Sequence, residues 1–186
     1  MAEKGLIIFT SGFNSSASGQ AVGSADPQST GLGQLSQQEF ITENFDPKTF
    51  SWDQQEEIIQ TIVNFHNEHP GAPIVLVGHS FGADSNLEVA EELNNLHINI
   101  DKMAMVDSVG LNDTKIPENV LSAINIWSSS GDGINAERDI EGARLITLDN
   151  TNHTQIDDSS RAWVEIDSFL HESTPNHTSV GGGYES

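Results

Sequence analysis

The pentapeptide Gly78-His79-Ser80-Phe81-Gly82 constrains this chain more than any other stretch. Residues 74–77 ahead of it read Ile-Val-Leu-Val, a short apolar, β-branched run suited to a buried parallel strand. Residues 84–93 behind it carry good helix formers, with Leu87, Val89, Ala90 and Leu93 as the apolar positions. The segment is therefore a G-x-S-x-G match in a strand–turn–helix setting. A strand that turns at once into a helix strains the middle residue and projects its side chain above the sheet edge. Neighbouring backbone passes close to the positions two before and two after, and Gly78 and Gly82 meet that demand. Ser80 is the candidate nucleophile, at the positive end of the helix it introduces. The plain alternative is a surface serine in a Gly-rich turn; the flanking strand and helix argue against it.

The rest of the chain repeats the alternation of strand and helix. Residues 6–9, 102–106, 123–127 and 144–148 read as strands, and 49–52 as a short one. Asp53 is placed to cap a helix running to about residue 68, with Ile58, Ile59, Ile62, Val63 and Phe65 on one face. Ser159 or Ser160 caps a closing helix that carries Trp163, Ile166, Phe169 and Leu170. Residues 15–33 are rich in Ser, Gly, Ala and Gln and read as a long loop at the active-site edge, and 34–44 has room for a short helix. The pattern predicts an α/β fold, a three-layer α/β/α sandwich around a mainly parallel sheet. One domain over residues 1–172 is expected, followed by a disordered tail over 173–186 that ends Gly-Gly-Gly-Tyr-Glu-Ser.

Charge narrows the partners. Seven basic residues face 28 acidic ones, for a formal net charge of −21. Such a surface repels nucleic acid and anionic membranes and disfavours anionic substrates such as coenzyme A thioesters. It reads as a solubility device of the kind found in salt-adapted proteins. With no cysteine there is no disulfide, thiol nucleophile or thiolate metal site. The apolar run near the start is too short for a signal peptide or membrane span, so a cytoplasmic location is the expectation, with a monomer as the default state.

The elbow resembles that of the α/β-hydrolase family, and the resemblance extends from about residue 5 to residue 170. Asn99 to Ser108, Ile116-Pro117-Glu118-Asn119-Val120, Asn125-Ile126-Trp127 and His153-Thr154-Gln155-Ile156-Asp157 are similar to segments of small bacterial lipase- or thioesterase-like hydrolases. Ser108 stands where that group has proline after the strand-end aspartate. The resemblance implies a minimal fold with little or no lid and the chain order serine, acid, histidine. It makes His153 the base, since the family places that residue between a late strand and the final helix. The acid is Asp107 or Asp132, each at the end of a strand on the sheet's carboxyl edge. The family pattern favours Asp107; the loser is a turn aspartate. The resemblance also implies an oxyanion hole from the backbone amides of Phe81 and Phe13, although Ser11 stands where the family often has histidine.

The other histidines have plainer readings. His79 should point away from Ser80 and serve packing or a local hydrogen bond. His66, His69, His97 and His171 lie on or after helices and read as surface, and His177 belongs to the tail. No pair has the i,i+4 spacing of a helical zinc site, so no metal and no cofactor is expected. The functional expectation is a serine hydrolase of neutral carboxylic esters, working through an acyl-enzyme on Ser80. A thioesterase or acyltransferase uses the same machinery. A small-substrate amidase and a catalytically silent binding module are the remaining alternatives.

Overall fold

Apolar residues occupy both faces of the central strands, and this divides the core in two. The computed structural model describes residues 3–12, 30–110, 115–130 and 136–174. Its strands are β1 (Gly5–Ser11), β2 (Phe45–Ser51), β3 (Ile74–His79), β4 (Lys102–Val106), β5 (Ala123–Ser128) and β6 (Arg144–Leu148). They form one sheet in the order β2-β1-β3-β4-β5-β6, and every neighbouring pair is parallel. Leu6, Ile8, Ile74, Leu76, Met103 and Met105 face one layer, where α3 (Gln55–Glu68) and α4 (Phe81–Asn95) supply Ile58, Ile62, Leu87 and Val89. Ile7, Phe9, Val75, Val77, Ala104 and Val106 face the other. There α1 (Gly31–Leu35), α2 (Glu39–Thr42) and α5 (Ser160–His171) contribute Leu32, Leu35, Ile41, Ile166 and Phe169. The α/β/α sandwich is the architecture that the alternation of elements predicts.

The strand order fixes where a ligand fits. From β1 the chain runs outward to β2, then crosses back to β3 on the other side of β1 and continues to β6. The reversal leaves a crevice outside the carboxyl ends of β1 and β3, the location where open α/β sheets bind ligands. Gly12 follows β1 there, and Ser80 follows β3.

Several element boundaries differ from the sequence reading. Of the predicted loop over 15–33, residues 15–29 lie outside the described ones, and from Gly31 the chain is helical, because Thr30 caps α1 by accepting a hydrogen bond from the Gly33 amide at 3.0 Å. Gly31 has low helix propensity but a tertiary reason: a Cβ there would lie 2.6 Å from the carbonyl carbon of Asp157. The short helix expected over 34–44 is instead the end of α1 followed by α2, and β2 begins at Phe45, ahead of the expected 49. Asp53 does not cap α3; the cap residue is Gln54, and the Asp53 carboxylate accepts a hydrogen bond from the Ser51 hydroxyl instead. Helix α4 starts directly at Phe81. Among the described residues no helix is long and apolar enough to cross a membrane.

Candidate active site

Ser80 has φ 55° and ψ −125°, a conformation L-residues rarely adopt, and the turn from β3 into α4 imposes it. Glycine permits the turn on every side. A Cβ at Gly78 would stand 2.7 Å from the Ala83 backbone nitrogen, and one at Gly82 would stand 2.1 Å from the Thr10 carbonyl oxygen. The Ser80 amide donates to the Val106 carbonyl at 3.0 Å, which ties the elbow to the end of β4. Helix α4 is held in place by buried polar contacts: the Thr10 hydroxyl donates to Asn86 Oδ1 at 2.7 Å, and the Ser85 hydroxyl to the Trp52 carbonyl at 2.8 Å.

Ser80, His153 and Asp107 come together from three separate parts of the chain. The Ser80 Oγ lies 2.8 Å from His153 Nε2, and His153 Nδ1 lies 3.3 Å from Asp107 Oδ2. With its proton on Nδ1, facing the carboxylate, His153 presents the Nε2 lone pair to the Ser80 hydroxyl. Ser80 is only 5 % exposed, His153 6 % and Asp107 1 %, so all three are screened from bulk water, Ser80 more than a side chain projecting into solvent would be. Burial of this kind strengthens each polar contact among them.

Asp107 is fixed from two sides. Its backbone adopts φ 46°, and its amide donates to the Ile126 carbonyl at 2.8 Å. Its Oδ1 accepts the Ser128 amide at 2.6 Å, which leaves Oδ2 for His153. The Ser128 hydroxyl donates to the Thr151 carbonyl at 2.5 Å and so steadies the segment that carries His153. Ser108, where the resemblance suggests proline, donates to Asp84 Oδ1 at 2.5 Å, and the Gly110 amide reaches the same oxygen at 3.1 Å. A buried carboxylate on α4 thus organises the turn after Asp107.

Gly12 lies against the elbow. A Cβ at Gly12 would fall 2.8 Å from the Ser80 Cβ and 3.2 Å from the Phe81 backbone nitrogen. Any side chain at position 12 would collide with the elbow. Phe13, the expected second oxyanion donor, and Asp132, the alternative acid, lie outside the described residues. So does His177. The ring of Phe81 lies 5.9 Å from that of Trp52, making an aromatic pair next to Ser80.

His79 turns away from Ser80 toward the loop that bears His153, and its Nε2 lies 2.7 Å from the His153 carbonyl oxygen. Burial holds its imidazole below the ordinary histidine range, against the opposing pull of Asp157. His69 pairs with Glu3, and His171 bonds the Asp167 carbonyl; both contacts are on the surface. Among the described residues no group of three or more potential ligands could hold a metal ion.

Sequence reasoning did not single out Gly12, Asp84 or Ser128. Gly12 carried a signal, a glycine directly after a strand that ends at the active edge. Asp84 and Ser128 carried none, because their partners are set by the packing of α4 and the register of β5.

No protein-family model matches the sequence, and no curated protein matches it. Solved structures do. An alpha/beta hydrolase superfamily protein from Enterococcus faecalis has a TM-score of 0.62 at 11 % identity, covering 93 % of this chain and 92 % of that one. An a/b serine hydrolase without lid from Xanthomonas campestris has a TM-score of 0.58 at 14 % identity, covering 93 % and 86 %. The NocB thioesterase domain, in covalent complex with a fluorophosphonate nocardicin G analogue, has a TM-score of 0.56 at 12 % identity, covering 91 % and 94 %. The chain has the α/β-hydrolase fold.

Proposed function

We propose that the protein is a serine hydrolase of neutral carboxylic esters. The observation that carries this reading is the hydrogen-bonded chain from Ser80 through His153 to Asp107. Ser80 Oγ attacks the ester carbonyl carbon while His153 Nε2 takes its proton, and Asp107 stabilises the imidazolium that results. The amide of Phe81, against which Gly12 packs, stabilises the oxyanion. Collapse of the tetrahedral intermediate breaks the bond to the leaving alkoxide, which receives the proton from His153. Water, deprotonated by His153, then attacks the acyl-Ser80 ester, and the acid departs as Ser80 recovers its proton.

Charge supports a neutral substrate. All seven basic residues lie among the described ones, and each is already engaged. Lys48, Lys115, Arg138 and Arg144 pair with carboxylates, while Lys4, Lys102 and Arg161 donate to backbone carbonyls. That supply leaves little to attract the phosphates of coenzyme A, although the same machinery would serve a thioester. The Trp52–Phe81 pair offers apolar surface suited to an uncharged acyl group.

The test is labelling by a fluorophosphonate, followed by turnover of p-nitrophenyl esters of increasing chain length. Ser80→Ala should abolish both and leave the circular dichroism spectrum unchanged. A variant that still labels or hydrolyses like the parent would falsify the assignment. A folded parent that neither labels nor turns over would support a silent binding module.

A further inference from the structure

His79 is the one polar side chain of the elbow to which the reaction above assigns no task. It is nearly buried, with 13 % of its side chain exposed. Its Nε2 sits 2.7 Å from the carbonyl oxygen of His153. A carbonyl only accepts, so Nε2 must carry the proton. The rings of His79 and His153 stand 5.0 Å apart. On the far side of the His79 ring, Nδ1 lies 3.7 Å from the carboxylate of Asp157, which lies in the 3₁₀ turn Ile156–Asp158.

We propose that His79 is a positioning residue that fixes the main chain of His153 and thereby aims its imidazole at Ser80. The proposal rests on the hydrolase reading. Two consecutive residues then hold the base at two points, Ser80 through the ring and His79 through the backbone carbonyl. The need for the second point is local. His153 follows the bend at 149–150 and precedes the 3₁₀ turn, in a segment without a strand or helix to fix it. Its ring can hydrogen-bond Ser80 and Asp107 together only if its Cα is held, and misplacement by about 1 Å can cost a hundredfold in rate.

The protonation state of His79 suits that task. Asp157, Asp158, Asp107 and His153 all act on it, and burial outweighs the carboxylates and keeps the ring neutral at neutral pH. A neutral imidazole can donate to the carbonyl without placing a positive charge beside the imidazolium that forms on His153.

The experiment compares the parent with His79→Leu and His79→Gln in p-nitrophenyl ester turnover. Leucine fills the volume without a donor, whereas the glutamine Nε2 can reach the carbonyl. Leucine should lower kcat roughly thirtyfold with KM within about twofold, and glutamine should recover activity to within about fivefold of the parent. Unchanged kcat in His79→Leu would overturn the proposal, as would equal impairment in both variants, which would indicate packing alone. Nitrogen-15 imidazole spectra of the parent give a reading independent of turnover and of any variant's folding. His79 should show a slowly exchanging proton on Nε2 at neutral pH; a proton on Nδ1 alone would overturn the proposal. If the parent hydrolyses no ester and does not label, the hydrolase reading fails, and the spectrum still decides whether His79 holds the carbonyl.

Discussion

Ser80 and Asp107 both hold positive φ, at 55° and 46°, a conformation that costs on the order of 1–3 kcal/mol at a non-glycine residue. Each is clamped by hydrogen bonds to an adjacent strand, the Ser80 amide to Val106 and the Asp107 amide to Ile126. Strain held this way fixes two side chains before any substrate arrives. The consequence for Asp107 is specific. Its Oδ1 is occupied by the Ser128 amide, so Oδ2 alone orients His153. Asparagine at 107 keeps the shape, but its amide group next to His153 Nδ1 favours the wrong imidazole tautomer. Asp107→Asn is expected to lower turnover on the order of ten-thousand-fold, the loss seen for the same change in a serine protease, with a folded protein. Asp132→Asn should stay within a few-fold of the parent. Steady-state kinetics of the two variants decides the matter; an inactive Asp132→Asn beside an active Asp107→Asn would transfer the acid's role to Asp132.

At the scale of the element, a buried lysine ties a strand to the end of a helix. Lys102 starts β4 and is 5 % exposed, and its Nζ donates to the carbonyls of Phe169, Leu170 and Glu172. These lie at the C-terminus of α5, where helix carbonyls lack partners and a positive charge is favourable. Burial lowers the Lys102 pKa from its ordinary value, against the pull of Glu172 and Asp101. Lys102→Met should keep the packing and lose the cap, costing about 2 kcal/mol. Urea unfolding measures it: an unchanged midpoint would mean that the clamp contributes nothing. Lys102 also shows what a sequence hides. As the first residue of a strand it was legible, but its partners on α5 were not, because they arise from how that helix lies across the sheet. Asn119 in the Pro-x-Asn-Val segment is similar: its Nδ2 donates to the Ala90 and Ile98 carbonyls at 2.9 and 2.8 Å, tying α4 to the connection that leads into β4. The elbow was legible because its strain is local and demands glycine at fixed spacing. Strands β1, β3, β4 and β5 were legible because buried parallel strands read as apolar runs, whereas β2, with Asp46, Pro47 and Lys48 on a part-exposed edge, was read only over its last residues. Helix α1 was not, because Gly31 and Gly33 speak against a helix and only the approach of Asp157 explains Gly31. Sequence alone offered two aspartates at strand ends, and the contact of Asp107 with His153 was not legible, since the register of β4 against β5 is not written in either strand by itself.

For the whole molecule, the dominant long-range term is the field of its charge. A two-sided apolar core is enclosed by a surface with a formal net charge of −21, and every cation on it is already engaged. Exposed ion pairs such as Lys48–Asp46 and Lys115–Glu141 contribute little, so they do not offset the repulsion among the remaining carboxylates. Unfolding spreads the charges apart and relieves that repulsion; the folded state therefore bears a penalty that salt should reduce. The Debye length falls from about 30 Å at 0.01 M to about 10 Å at 0.1 M and about 3 Å at 1 M. Screening removes most of the penalty over the first part of that range, whereas strengthened apolar burial would grow steadily with salt. The melting temperature should accordingly rise by about 5 °C from low salt to 0.5 M potassium chloride and change little beyond, a gain of roughly 1–2 kcal/mol for a chain of this size. A flat profile would refute the salt-adapted reading, and a linear rise to molar salt would assign the effect to burial. The same field acts on substrates. A neutral p-nitrophenyl ester should show a kcat/KM nearly independent of ionic strength, and a coenzyme A thioester of equal acyl length should react more slowly and gain on the ester as salt rises. A thioester that outpaces the ester at low salt would mean that the site overcomes the field with contacts of its own, and the thioesterase reading would then replace the esterase one.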